Sequence, residues 1–549
     1  MTLEKLFGDP FDTANPIGFG QVMVADEAAE LPAAGTAVLD DWACNAEFVP
    51  VSDGGRWSGV DDLARRLRPV FRRDPALGMG YGVTSLMAMA LARAAGDSEQ
   101  RRRMSAELLS GGRIAVAFHE LAHGNDFLRN ELTARPGDGG LVLNGRKEVV
   151  NNIAGAESMV LFARTDERPG ARSHSLLLLG KRDLPNVRYL PRYRTAGLRG
   201  CQLGGVEFTG DVVSANCVLG KPGNAVESAL RAFQVTRTVL PGMALGVLDS
   251  AVHVGYRFAV ERRLYGQSVA DLPHARDTLA CAFADLLVAD CMFTAVARGL
   301  QLVPRHAAAS AAAVKYLVPL MLEEAMREVS VLLGARSYLR EGPQAIFGKF
   351  LRDLPVLGIG HAGAATCLLG IIPQLPVLAR RAWAAAEPLP ELFDITKSLP
   401  ELEFTQLSIA AGRDPLVASL LAAAQRLPGD EPVHALIRAL AAEVGRLAGE
   451  CLLLRAAELG PAASPRAFEL AERYAVLLAV AACVGTWLHS PQNPGTPWLH
   501  IALTRLAARL PGFDHPAMAS GDAEELTGEL ARRVTQSRSC CLDSGQIFG

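Results

Sequence analysis

The chain has 549 residues, half of them apolar, and a formal net charge of −3. Such a balance excludes a disordered chain and is long enough for several packed units. The near-neutral charge also excludes the basic footprint of a nucleic-acid binder; the one dense basic run, Arg101-Arg102-Arg103, follows Asp97 and Glu99 and reads as the solvated face of a helix start.

Residues 1–113 read as a helical domain, with Leu86, Met89, Ala90 and Arg93 at helical spacing and a further helix from Arg101 to Leu109 stopped by Gly111-Gly112. Over 114–225 the period changes to two. The runs Ile114–Phe118, Leu141–Leu143, Lys147–Val150, Met159–Ala163, Ser175–Leu179, Val206–Phe208 and Val212-Val213 predict a small β domain, with a turn at Asn144-Gly145. Helical spacing returns over 226–385, where Leu279, Phe283, Leu286 and Leu287 share a face, and this segment is expected to form a helical bundle. Leu354–Ala379 contains no Asp, Glu, Lys or Arg, but its three prolines, His361 and Gln374 favour a buried helix ending near Pro373 over a membrane span. Glu387–Glu391 reads as a linker. Residues 391–549 form a helical extension, with a stripe from Val433 to Leu454 and a buried helix over Leu477–Trp487. The expected class is α+β and mostly α. Helices, sheet, helices in that order are not the alternation of a dinucleotide-binding fold.

The ten cysteines are scattered without a CxxC pair, as in a reduced chain, and MTLEKLFGDPFDTANP has no secretory pattern. A cytoplasmic location is the expectation. His119 to His123 spells HExxH, which on a helix would place two imidazoles on one face beside a zinc ion. Here it follows a strand directly, and Gly124-Asn125-Asp126 interrupts any helix, so a zinc protease is the remote reading.

Several motifs in order resemble the acyl-CoA dehydrogenase family over roughly the first 380 residues. That family's Thr-Glu-Pro-x-x-Gly-Ser-Asp flavin loop matches His119–Asp126, retaining Glu120, Gly124 and Asp126. Its Asn-Gly-x-Lys-x-Trp-Ile-Thr/Ser-Asn matches Asn144–Asn152, with Val149 at the Trp position and Asn151 at the Thr/Ser position. Gly197-Leu198-Arg199-Gly200, Thr236-Arg237 with Gly246, Arg262–Gly266, Leu333-Gly334-Ala335-Arg336 and Arg352-Asp353 continue the match.

The resemblance implies a flavoprotein with bound FAD. His119, Asn125, Val149, Asn151, Arg262 and Ala335 are the expected cofactor contacts, Arg262 reaching the flavin of a neighbouring subunit, and Asn125 and Arg237 the expected substrate contacts. It implies α,β-dehydrogenation of an acyl thioester on coenzyme A or an acyl-carrier protein. A flavoprotein or oxygen would accept the electrons. A homodimer or homotetramer, or a hetero-oligomer, is expected. Family members use a carboxylate as base. Its two known positions fall on His361 and Thr236, neither of them acidic. His361 is therefore the candidate base, since imidazole titrates near neutral pH; it could also bind substrate or fill a core niche. Two other readings arise from the missing carboxylate: a non-catalytic or half-site subunit of a heteromeric assembly, and a flavin monooxygenase of the same fold.

Overall fold

The computed structural model describes residues 2–360, 362–383, 387–410, 412–429 and 431–548. Its first unit is helical: α1 (Leu3–Phe7), α2 (Phe19–Glu27), α3 (Ala33–Asp41), α4 (Val60–Arg73), α5 (Pro75–Tyr81), α6 (Val83–Ala95) and α7 (Ser98–Leu109). α7 starts on a capping box in which Asp97 accepts from the Glu99 and Gln100 amides.

The sheet contains β1 (Ile114–Ala117), β2 (Thr133–Gly137), β3 (Gly140–Asn151), β4 (Ser158–Arg164), β5 (His174–Gly180), β6 (Arg188–Leu190) and β7 (Leu203–Val213). The strand order is β1-β4-β2-β3-β7-β6, with β5 on the other side of β4. β1, β4 and β5 are buried on both faces, which explains their continuous apolar runs. Ile114, Val116, Val160, Phe162, Leu176 and Leu178 pack toward the helices. Ala115, Ala117, Leu161, Ala163, Leu177 and Leu179 pack into a separate core inside the β domain.

The expected turn at Asn144-Gly145 is not there. β3 runs through it, paired with β7, and the register shifts between Leu143 and Asn144. Gly145 supplies a φ of +120° at this irregularity, and a Cβ there would lie 2.9 Å from the Leu132 backbone. The chain reverses instead between Gly137 and Gly140, a Gly pair that Asn-Gly mimicked in sequence.

The bundle is built on α8 (Ala225–Glu261), α9 (Pro273–Leu302), α10 (Ala308–Leu333), α11 (Ala345–Ile359) and α12 (Ala364–Ile371). α8 runs for about 55 Å. Gly246 lets it touch α4, since a Cβ would sit 2.6 Å from the Arg68 carbonyl oxygen. α8 and α9 are long and apolar enough to cross a membrane, yet their apolar windows are 100% and 94% buried inside the protein. The stretch 345–381 meets the same measure but is 35% buried. It is not the single buried helix expected: α11 stops at Ile359, α12 starts again at Ala364, and around Pro373 and Pro376 the chain stays helical to Ala382 as short 3₁₀, α and π stretches.

The extension is helical, as expected. Pro415–Arg426, Pro432–Cys451, Pro465–His489, Thr496–Ala507 and Ser520–Thr535 form helices, and several of them pack on α9 and α10. The segment after the last helix then dips into the bundle, where buried ion pairs receive it. Arg68 of α4 pairs with Asp290 of α9 at 2.5 Å, and Asp290 also accepts from the Leu542 amide at 2.8 Å. Arg72 pairs with Glu4 and with Asp249 of α8; Asp249 further accepts from Ser539 Oγ at 2.8 Å and the Cys540 amide at 2.9 Å. Burial raises the Asp249 carboxyl, but Arg72, His253 and these donors outweigh it and leave its pKa below the usual value.

Removing this acceptor leaves Arg72 with Glu4 alone and the Cys540 amide without its partner. Asp249→Ala is expected to cost about 3–5 kcal/mol, seen as a lower denaturant midpoint together with protease cleavage near residues 538–545. A pH dependence arises from two buried imidazoles. Burial lowers His174 and His253 to about 4, against 6.5 in an unfolded chain. Between those values the unfolded chain binds protons that the folded one refuses, so stability is full above pH 6.5 and falls as the pH drops toward 4. Urea midpoints measured across that window should decline, and His253→Gln should flatten the decline.

Candidate active site

The β side of the candidate site is the segment after β1, which reaches the bundle at Asn125 and Thr366 of α12. Residues 119–123 are extended chain and turn, not helix. Glu120 points inward and pairs with Lys147 of β3 at 2.7 Å. It also accepts from the Glu131 and Leu132 amides at 2.8 and 3.1 Å, and Lys147 donates to the Phe118 carbonyl at 3.2 Å. Burial pushes the Glu120 carboxyl up, but Lys147 and the two amides outweigh it and hold its pKa below the usual value. This pair fixes both ends of the loop, while residues 124–126 stand exposed at its tip.

That geometry removes the zinc-protease reading. The HExxH residues lack the helix that would align the two imidazoles, and the glutamate is committed to Lys147. Among the described residues, Asp249, His253 and Cys540 bring potential metal ligands together elsewhere. There Asp249 already accepts from Arg72, Ser539 and the Cys540 amide, which leaves it poorly suited to an ion.

His119 is partly buried beside Phe127, ring centroids 5.7 Å apart, and burial lowers its pKa, so it is neutral at pH 7. Asn125 lies at the exposed tip, with Nδ2 3.5 Å from Thr366 Oγ1 of α12. Val149 sits at a β-bulge of β3 with φ +54°, a conformation a β-branched side chain rarely adopts. Two residues on, Asn151 donates to the Met79 carbonyl at 2.8 Å and Asn152 to that of Gly80 at 2.7 Å. The Asn151 Oδ1 is buried and accepts nothing among the described residues.

The bundle side is formed by α8, α10 and α12. Thr236 is buried, its hydroxyl directed to the Phe233 carbonyl at 3.4 Å. Arg237 lies over the Phe233 ring at 5.4 Å, and its Nε has no acceptor among the described residues. Lys315 of α10 shares a small cavity with Thr236 and Arg237, walled by Val83, Leu86, Met87, Leu240 and Met243. Its Nζ donates to the Leu357 carbonyl, and to that of Gly358 at 3.4 Å, at the end of α11. Burial lowers Lys315 to about 8; Cys367 of α12 partly opposes this and Arg237 adds to it. Lys315 is absent from the sequence-based candidates. The available signal was its isolation, as the one charged residue between Arg305 and Glu323.

His361 lies outside the described residues. Arg262 and Ala335 are exposed and belong to a different region of the chain. Arg262 follows the end of α8, about 39 Å along the helix from Thr236.

Residues 115–210 match the family model for the acyl-CoA dehydrogenase middle domain, and 226–374 that for the acyl-CoA dehydrogenase C-terminal domain. A mitochondrial isovaleryl-CoA dehydrogenase of Oryza sativa subsp. japonica is 23% identical over 351 residues, 62% of this chain and 85% of its own. Among solved structures, an acyl-CoA dehydrogenase complexed with FAD from Bacillus anthracis aligns over 97% of this chain and 94% of its own, with TM-score 0.73 and 16% identity. Butyryl-CoA dehydrogenase from Megasphaera elsdenii aligns over 67% and 95%, with TM-score 0.59 and 19% identity. The first of these two folds includes a counterpart of the helical extension; the second matches the shorter core.

The strained Val149 gives a direct test. Val149→Gly is expected to raise stability by about 1 kcal/mol by releasing the left-handed backbone, read as a higher denaturant midpoint. Glu120→Ala is expected to cost about 3–5 kcal/mol by leaving Lys147 unpaired and to expose residues 119–131 to protease.

Proposed function

Because the chain belongs to the acyl-CoA dehydrogenase family, we propose that it is an FAD-dependent oxidoreductase. It desaturates an acyl thioester, carried on coenzyme A or a carrier protein, between the α and β carbons. The observation that carries this reading is the position of the two family matches: they cover the sheet and the bundle that supply the candidate site residues. The residues present fit a flavin. Asn151 offers a buried, unused acceptor to the one N–H of the flavin ring system, and the neutral imidazole of His119 offers a donor or acceptor beside it.

FAD would be held by His119, Asn125 and Asn151, with Val149 against the ring. Arg262 and Ala335 would come from a second copy, since α8 carries Arg262 far from its own candidate site. When bound, FAD supplies the two-electron acceptor for the hydrogen leaving the β carbon. The chain's own task is to place the acyl group and remove the α proton. Thr236 cannot do the latter, because an aliphatic hydroxyl does not ionise near neutral pH and this one is directed to a backbone carbonyl. We assign the proton to His361, whose ordinary pKa suits the step. A flavoprotein or oxygen would reoxidise the cofactor.

Anaerobic titration of the flavin-loaded protein with a panel of acyl thioesters tests this. Bleaching of oxidised flavin is expected with a subset of the panel. His361→Ala should slow it by about 10²- to 10⁴-fold with flavin stoichiometry unchanged. A protein that purifies without flavin and cannot be loaded would overturn the assignment; one that binds flavin, never bleaches and co-purifies with a homologous chain would point to the half-site subunit instead.

A further inference from the structure

Two cations, Arg237 and Lys315, line one small cavity among the helices. Arg237 is half-buried and Lys315 is 2% exposed. Among the described residues, neither forms an ion pair. Lys315 has only the Leu357 and Gly358 carbonyls as acceptors. Among the buried arginines elsewhere in the helical core, Arg68, Arg72 and Arg298 each face a buried carboxylate within hydrogen-bonding distance, whereas Arg73 is held by the Gly8 and Ile17 carbonyls. Leaving a buried charge without a partner is unfavourable, and here a buried ammonium and a half-buried guanidinium adjoin one cavity. Thr236 and Cys367 are the neighbouring polar groups. Burial raises the Cys367 thiol, and Arg237 and Lys315 only partly oppose this.

Resting on the thioester reading above, we propose that Arg237 and Lys315 are the receptor for an anionic group on the acyl moiety, so that the substrate is an acyl thioester bearing a carboxylate. Both side chains adjoin Thr236, which stands at one of the family's base positions and therefore near the reacting carbons. A carboxylate there would accept from the guanidinium and the ammonium together, in the charge-assisted geometry both groups favour. The cavity between them has room for about one water. Met87 and Met243 line it, and their unbranched side chains can shift to admit a larger group. The remaining wall is aliphatic, which strengthens any charge pair formed inside it.

The test compares binding of ω-carboxyacyl and unsubstituted acyl thioesters of matched chain length to the flavin-loaded protein, by calorimetry and by perturbation of the flavin spectrum. The wild type is expected to bind one carboxylated member about 10- to 100-fold tighter than its uncharged counterpart. Arg237→Gln and Lys315→Met should each cut that ratio by about tenfold, whatever their effect on affinity for the uncharged thioester. Arg237→Lys, which keeps the charge, should retain most of the preference. Equal affinity for the two thioester classes, or a preference that survives both neutral variants, would overturn the proposal and leave the dehydrogenase reading intact. Loss of flavin affinity in Arg237→Gln with the ratio unchanged would also overturn it, by assigning the cation to the cofactor. Failure to bind any acyl thioester would remove both.

Discussion

The molecule is organised around the guanidinium groups of one helix. α4 presents Arg68 and Arg72 to the interior one turn apart, and between them they engage carboxylates on α1, α8 and α9. A buried charge pair contributes little net stability but forbids any packing that separates its members. The N-terminal helices therefore have one seat on the bundle. Gly246 fits that seat at the level of backbone contact, where a side chain would strike the Arg68 carbonyl. A second network does the same for the loop at Gly197–Arg199. Lys349 of α11 joins Asp74 and Asp353, and Asp353 accepts from the Leu198 amide at 2.9 Å. Sheet, bundle and N-terminal helices are thus keyed by electrostatics and only then filled by apolar side chains.

The candidate site inherits its shape from these keys. Asn151 and Asn152 hang on the Met79 and Gly80 carbonyls, so the edge of the sheet is referenced to α5, which Pro75 and Asp74 start. Asp74 is also the partner of Lys349. One side of the candidate site is consequently positioned by the same residue that anchors the helix leading to His361. The Glu120–Lys147 pair braces the loop after β1, with Asn151 and Thr236 placed by their own backbone partners.

Much of this was readable from residue order. The change of period near 114 and its reversal near 225 located the sheet, because strands buried on both faces leave no ambiguity with amphipathic helices there. Glu120 and Lys147 were visible as motif residues, and the structure adds that they touch. Other features were hidden for physical reasons. Asn144-Gly145 has the composition of a hairpin turn, but a bulge makes the same demand for positive φ, and only strand pairing separates the two. Lys315 belongs to no motif because its carbonyl partners lie 42 and 43 positions away. The break after Ile359 was masked by continuous hydrophobicity, which scores a broken segment and a straight helix alike. The base position comes from counting along the chain from Asp353, and His361 lies beyond the described residues.

The acceptors of the central ion network bear on the order in which the molecule can be assembled. Asp249 and Asp290 receive the amides of Cys540 and Leu542, partners 291 and 252 positions downstream. On a ribosome, both carboxylates emerge with their arginines long before those amides exist. The bundle therefore collapses first around an interior that still wants hydrogen-bond donors, and water or a chaperone must serve in the interval. Closure of that interior waits for a segment made long after the carboxylates it seals, and contacts of such long range also slow refolding. A truncation that removes residues 539–542 would leave a chain with nearly all its apolar surface and no means of sealing its centre.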